Sequence, residues 1–372
     1  MSSQTSTKPY TRKRLRVQRR KQALQSAAML SLVALIIIGQ LVRQHTLLPV
    51  MDTEAHVAGA KPTMPALTPK ELAHLGVNEA GRFPILEYHE IAPNPPGAGR
   101  STRRMHRVPD AFRRDLARLY AEHYRPIFVQ DYLDNRIDVP AGMTPVVLTF
   151  DDARDSQFRY LADGSIDPDC AIGILQEFTR AHPDFPLKAT FFVLTEWGFG
   201  QKQWTQKKFK ALLAMGCELQ NHTFNHNYFG HMSDVAIARE IARGKSSIEQ
   251  LAPRAHVNML ALPGGQHPRS KNDDILRHGD SGGIHYTTRA VFDAWGGLTA
   301  SPVTLKFNPM RIPRIEPIEE EDDGLTHCLD YLKAHPKERY VSDGDPATIS
   351  VPRSEAKSVM KSKLQNAALR IY

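Results

Sequence analysis

The sequence predicts an α/β protein: a barrel of alternating strands and helices, preceded by one transmembrane helix. Three observations predict it. Short apolar runs alternate with stretches of helical period, the pattern of βα units on a parallel sheet. Chemistry-bearing polar residues gather at the C-terminal ends of those runs, where barrels build their sites. Twenty residues without a charge, 23–42, follow a strongly basic tract.

The N-terminal elements come first. Residues 1–22 carry eight Lys and Arg and no acid. The segment 23–42 then reads ALQSAAMLSLVALIIIGQLV, long enough to span a bilayer as a helix. Basic charge on one flank predicts a single-pass signal anchor, with residues 1–22 cytoplasmic and the remainder outside the cytoplasm. A cleaved signal peptide is the competing reading, but the small-residue stretch Val57–Ala60 lies too far beyond the apolar core. Residues 43–80 have weak periodicity and several Pro and Gly, and read as a linker.

The body follows. Apolar runs predict strands at Phe83–Tyr88, Pro145–Phe150, Ala189–Leu194, Cys217–Asn221, Met259–Leu262 and His285–Val291. Helical spacing appears in Asp110–Tyr124 through Phe112, Leu116 and Leu119, and in Pro168–His182 through Ile172, Leu175 and Phe178. Thr205 is placed to cap a helix carrying Phe209 and Leu212, with Gly216 after its end. Ser233 is placed to cap another, along which Ile237, Ile241, Ile248 and Leu251 recur. GxGxxG and GxxxxGK[ST] are both absent, against a nucleotide-binding sheet. Glu319–Asp323 reads as a solvated helix start, and Ala347–Val351 as a late strand within a polar extension, 336–372.

Composition narrows the function classes. Across 372 residues, 41% are hydrophobic and 24% charged, which excludes a mainly disordered or collagen-like chain. The net charge of +8 is confined to residues 1–22, since residues 23–372 hold 40 basic and 40 acidic side chains. A neutral body argues against nucleic acid as a partner. Cys170, Cys217 and Cys328 form no CxxC pair, which excludes a thiolate zinc knuckle and a thioredoxin-like motif; they read as small buried residues.

Two clusters carry chemistry. Asp151 and Asp152 end an apolar strand in the run VVLTFDDA. Neighbours on an extended chain point in opposite directions, so one acid can bind a metal while the other takes a proton from water. An Asp pair alone is better explained by a helix cap or a turn. Further on, NHTFNH sets His222 and His226 four residues apart, also after an apolar run. Two His and one carboxylate with open positions form a frequent catalytic metal arrangement. His89 and Glu90 read as residues orienting the first loop. Trp197, Trp204 and Trp295 are either sugar-stacking platforms or ordinary packing.

These segments resemble the motifs of the polysaccharide deacetylase family, the NodB-homology carbohydrate esterases. Besides TFDDA and NHTFNH, Pro84–Ile91 is similar to the family's opening strand and Lys188–Val193 to its KATFFV strand. Leu262–Gly265 is similar to its third motif, and Met310–Ile315 to an LPRI segment of one branch. The six matches occur in family order across residues 83–316. The resemblance implies a distorted (β/α) barrel over 81–335 and a metal-dependent hydrolase removing N-acetyl groups from a cell-envelope or extracellular polysaccharide. By position, Asp152, His222 and His226 would hold a divalent metal, commonly zinc, and Asp151 would be the general base. A backbone N–H near Gly264 would help hold the oxyanion. Three departures stand out. Ala153 replaces a usual Gly. Ala261 stands where many members carry an Arg that orients the base, for which Arg314 is the candidate replacement. The catalytic acid expected from an LxH motif falls on His327, with His267 and His285 as alternatives. The alternative function is a membrane-tethered, non-catalytic glycan-binding domain.

Overall fold

The computed structural model describes residues 66–318 and 324–372, which lie in one compact unit beginning at Ala66. The expected transmembrane segment and the acidic run 319–323 lie outside the described residues. Among the described residues, no helix is long and apolar enough to cross a membrane.

The fold is a mixed α/β arrangement around a curled parallel sheet. Its strands are β1 (Ile85–Tyr88), β2 (Tyr124–Ile127), β3 (Thr144–Asp151), β4 (Thr190–Val193), β5 (Glu218–Asn221), β6 (Met259–Ala261) and β7 (Ala290–Phe292). The order is β7-β6-β5-β4-β3-β1, with β2 beside the first half of β3. Every neighbouring pair is parallel. Helices Pro109–Ala121, Ala171–Ala181, Thr205–Ala214 and Asp234–Leu251 lie between strands, as the spacing of apolar residues predicts. Ser233 caps the last of these, its hydroxyl accepting from the Ala236 N–H.

The two faces of β3 explain the layering. Val146, Leu148 and Phe150 share a core with Leu116, Leu119, Ile172 and Leu175 of the flanking helices. Val147 belongs to a second core with Ile85, Phe192, Met259, Phe292 and Ile312, inside the curl. The two-residue period therefore puts Val147, Thr149 and Asp151 on the inner face. Both faces are covered, so all eight residues are buried, as parallel strands require.

The curl is not a regular eightfold barrel. Its edges, β1 and β7, are joined by an irregular segment. Ile312 bridges Phe292 of β7, and Ile315 bridges Leu86 of β1. Backbone bonds from Ile312 N–H to Val291 O (3.0 Å) and from Ile315 N–H to Ile85 O (2.8 Å) hold it there. The closing element is thus the irregular Met310–Ile315 segment, and Arg314 lies between its two bridging residues, Ile312 and Ile315.

Three expectations need correction. The run His285–Val291 is not one strand. Ile284–Thr287 pairs antiparallel with His278–Ser281, across Gly282 and Gly283 at φ 63° and 79°, a two-residue turn that glycine alone adopts freely. The parallel strand β7 begins only at Ala290. The helix expected over Asp110–Tyr124 stops at Ala121 because His123 takes φ 66°, and Tyr124 starts the unpredicted strand β2. The boundaries at 80 and 335 also move. Thr68 caps the helix Pro69–Leu75 through a capping box with Glu71. Asn78 bridges Val341, and buried Glu79 accepts the Ser350 N–H at 2.6 Å. Residues 66–80 and 336–372 therefore pack with the barrel rather than outside it. A short run of weak periodicity cannot advertise such contacts, because they cross more than 250 residues of chain.

Candidate functional site

The C-terminal ends of β3 and β5 bring two acids and two histidines together. Asp151 closes the inner face of β3. Asp152, next in sequence, would face outward on a continuing strand. It does not, because the chain leaves the strand there: Asp152 has φ 80° and Ala153 φ 62°. This left-handed turn swings Asp152 back, so both carboxylates face the same side. The sequence expectation of opposed directions is corrected by that turn. Asp152 Oδ1 lies 3.4 Å from His222 Nε2 and 3.4 Å from His226 Nε2. Asp151 Oδ2 lies 3.8 Å from His222 Nε2.

The loop after β5 is built to present its two rings. Thr223 and His226 both have positive φ. Buried Glu240, on the helix Asp234–Leu251, accepts the Asn225 N–H at 2.7 Å and the Asn225 amide at 2.6 Å. Gly244 on the same helix lets the loop approach: a Cβ there would lie 2.8 Å from the Thr223 backbone and 2.3 Å from Asn221 Oδ1. His222 Nδ1 contacts the Ala261 carbonyl at 3.0 Å. That contact assigns the proton to Nδ1 and leaves Nε2 free as a ligand atom.

The donor set fits a metal. Asp152 Oδ1 is buried and has no hydrogen-bond partner. The ligand atoms of Asp152, His222 and His226 lie within 4.8 Å of one another. Bonds of about 2.0–2.2 Å to a tetrahedral ion place neighbouring ligands about 3.4 Å apart, the separation of Oδ1 from both imidazoles. Burial works against charge on His222, but the carboxylates of Asp151 and Asp152 outweigh it and raise its pKa. Burial and the neighbouring His222 push His226 down to about 4.

Asp151 is held differently. Burial opposes its charge, yet the Arg314 guanidinium keeps its pKa below the usual carboxylate range. Arg314 is 0% exposed. It donates to Asp151 Oδ1 at 2.8 Å and Oδ2 at 2.7 Å, and from Nε to the Asp293 carbonyl at 2.8 Å. It also pairs with Glu87 Oε1 at 3.1 Å. Glu87, His89 and Asp151 form a second group of metal-type donors, but the guanidinium supplies the positive charge among them. Burial raises the Glu87 pKa well above its ordinary value, Arg314 opposing.

Other predicted residues divide. Gly264 lies in the turn Pro263–Gly265 with φ 56°, beside the Tyr228 ring. His327 is exposed on the helix Gly324–Ala334, whose Leu325, Leu329 and Leu332 face the core. Two residues advance a helix by about 200°, so an LxH pattern that buries its Leu turns its His to solvent. The structure does not bring His327 to the site. His285 is exposed too, against Asp280. His267 contacts Asp293 Oδ1 through Nε2 at 2.7 Å, and Asp293 is the residue whose carbonyl receives Arg314. Trp204 packs edge-on against Tyr160, whereas Trp295 is 57% exposed.

Sequence reasoning missed Glu87, Glu240 and Arg154. Arg154 meets Asp152 Oδ2 at 2.9 Å, and its position two residues after the acid pair was the available signal. The others act across the fold and carry no local pattern.

Comparison with known proteins finds similarity to one family and to the fold of its solved structures. Residues 138–281 match the family model described as Polysaccharide deacetylase. The deacetylase PplD of Streptococcus pyogenes, solved in complex with acetate, shares the fold at 19% identity. Its TM-score is 0.51, over 67% of this chain and 98% of that one. A polysaccharide deacetylase described as putative, BA0330 of Bacillus anthracis, matches at 15% identity. Its TM-score is 0.51, over 67% of this chain and 69% of that one. No curated protein matches the chain.

Proposed function

From the match of residues 138–281 to the family model described as Polysaccharide deacetylase, we propose that the chain is a metal-dependent N-deacetylase of an extracytoplasmic polysaccharide. The observation that carries this reading is the buried, unpartnered Asp152 Oδ1 placed 3.4 Å from each of two imidazoles. Asp152, His222 and His226 would hold a divalent ion, with zinc the first candidate. A bound ion of this kind lowers the pKa of water and polarises an amide carbonyl.

The chain's own groups supply the rest. Asp151 stays ionised against Arg314 and is 3.8 Å from His222, so it is placed to take the water proton as general base. The two parallel bonds from Arg314 fix the orientation of the Asp151 carboxylate plane. The backbone at Gly264, in its tight turn, is the candidate oxyanion donor. Protonation of the leaving amine we assign to His267, because it contacts Asp293 and Asp293 holds Arg314. That assignment replaces His327. Tyr228 lies beside His226, with ring centroids 5.8 Å apart, and its exposed ring suits the apolar face of a pyranose.

Membrane tethering through residues 23–42, with the barrel outside the cytoplasm, is part of the same proposal and rests on the uncharged segment behind a basic flank.

The test uses the full-length protein in detergent. Metal content and acetate release from N-acetylglucosamine oligomers are measured for the wild type and His222→Ala. One bound ion, lost together with acetate release in the variant, is the expected result. A wild type that binds no ion on reconstitution overturns the metal centre. An ion bound without acetate release from a broad glycan panel favours the glycan-binding alternative.

A further inference from the structure

Asp152 offers its two oxygens to different partners. Oδ1 faces the two imidazoles and has no hydrogen bond. Oδ2 is met by Arg154, whose Nε and Nη2 both approach to 2.9 Å. The guanidinium is itself stacked: its Cζ sits 3.8 Å above the Trp197 ring. Trp197 in turn lies nearly parallel to His226, at 28° and 6.1 Å between centroids. Arg154 also reaches Glu90 Oε1 at 3.6 Å. Four side chains therefore form a closed circuit, Asp152 to Arg154 to Trp197 to His226 and back to Asp152. Two of the three proposed ligands are members of it.

The backbone makes such a circuit necessary. Asp152 has a left-handed backbone; its N–H still bonds the Phe192 carbonyl at 3.0 Å, which anchors the main chain but leaves the direction of the carboxylate to its side-chain partners. Its side chain is 0% exposed, and water does not replace a lost partner at Oδ2. A charge-assisted bond from the guanidinium Nε, with Nη2 at the same distance, fixes the position of Oδ2 and so helps aim the other oxygen.

The geometry points to Arg154 as a positioning residue for the metal centre: clamped on Trp197, it holds Asp152 Oδ2 so that Oδ1 is pre-aimed between His222 and His226. This rests on the metal-dependent reading above. A guanidinium beside the site also repels an incoming dication, so removing it has two opposed effects, and the sign of the change in affinity separates them.

Full-length protein stripped of metal is titrated with zinc against a chelating dye, for the wild type, Arg154→Met and Arg154→Lys. Loss of an outer-shell partner weakens metal binding about 10–100-fold, the result expected for Arg154→Met. Lys has one donor group that still reaches a single oxygen, so Arg154→Lys should recover most of the loss. With cobalt(II) in place of zinc, the visible absorption of Arg154→Met should shift while that of Arg154→Lys stays close to wild type. Unchanged or tighter zinc binding in Arg154→Met overturns the inference and leaves the metal centre standing. Weakening of both variants alike, with a lower melting temperature of the metal-free protein, also overturns it, because the role is then only structural. A wild type that binds no zinc removes the metal centre itself, and the inference with it.

Discussion

Arg314 meets Asp151 through two parallel bonds of 2.8 and 2.7 Å, one to each carboxylate oxygen, with neither residue open to solvent. The two are 163 positions apart. The contact exists because the segment carrying Arg314 closes the gap between β1 and β7. Removing one partner of a buried pair strands the other charge, which costs about 3–5 kcal/mol. Arg314→Ala should therefore lose stability of that order in denaturant melts. Arg314→Lys keeps the charge but loses the fork. It should fold, retain zinc, and release acetate roughly 10–100-fold more slowly, a loss of about 1.4–2.7 kcal/mol in barrier.

The histidines 267 and 327 give opposite expectations. His267→Ala and Asp293→Asn should each lower kcat about 100-fold or more, the usual scale of a lost proton donor. His327→Ala, on the exposed face of its helix, should leave kcat and KM unchanged. Steady-state acetate release on the three variants decides the assignment, and a large loss at His327 alone would reverse it.

Metal should stabilise the fold as well as serve its chemistry. With free zinc at about 1,000 times Kd, linkage gives about 4 kcal/mol. Chelation of the wild type should lower its melting temperature accordingly. His222→Ala should melt at one temperature with or without zinc.

The loop bearing His222 and His226 depends on the missing side chain of Gly244. A Cβ there would press on the Thr223 backbone and on Asn221. Gly244→Ala should cost about 1–3 kcal/mol, as overpacking does, and should weaken zinc binding in chelator competition although residue 244 touches no ligand.

Stability should also respond to pH through Glu218. Burial raises its pKa to about 7, with the Thr190 hydroxyl and the Gln130 N–H opposing the rise. An unfolded Glu titrates near 4.3. A folded pKa above the unfolded one means that its contribution is fully present below about pH 4.3 and fades as pH climbs through about 7. Glu218→Gln should remove that part of the slope, worth up to about 3–4 kcal/mol, in denaturant midpoints measured from pH 4.5 to 8. An unchanged slope would show that Glu218 ionises normally in the folded protein.

Much of the centre was legible because its signals are local. Asp151 and Asp152 end a run whose apolar character follows from burial on both faces. His222 and His226 stand four apart after another such run. Helices at Ala171–Ala181 and Asp234–Leu251 were readable because burial on one face imposes a 3.6-residue period. The strand Tyr124–Ile127 was missed because YRPI has no alternation and contains a proline, and its pairing with β3 overrides both.

What the sequence by itself determined is the order of strands and helices and the chemical identity of a two-acid, two-histidine set. These depend on neighbours within a few residues. Only the tertiary structure decided that Asp152 turns back toward the histidines, that Arg314 takes the place beside Asp151, and that His327 faces solvent. It also decided that Arg154 and Trp197 brace Asp152. Each of those is a contact between distant segments or a departure from regular backbone, and its direction is set when the sheet curls and its edges close, not by the residues alongside it in the chain.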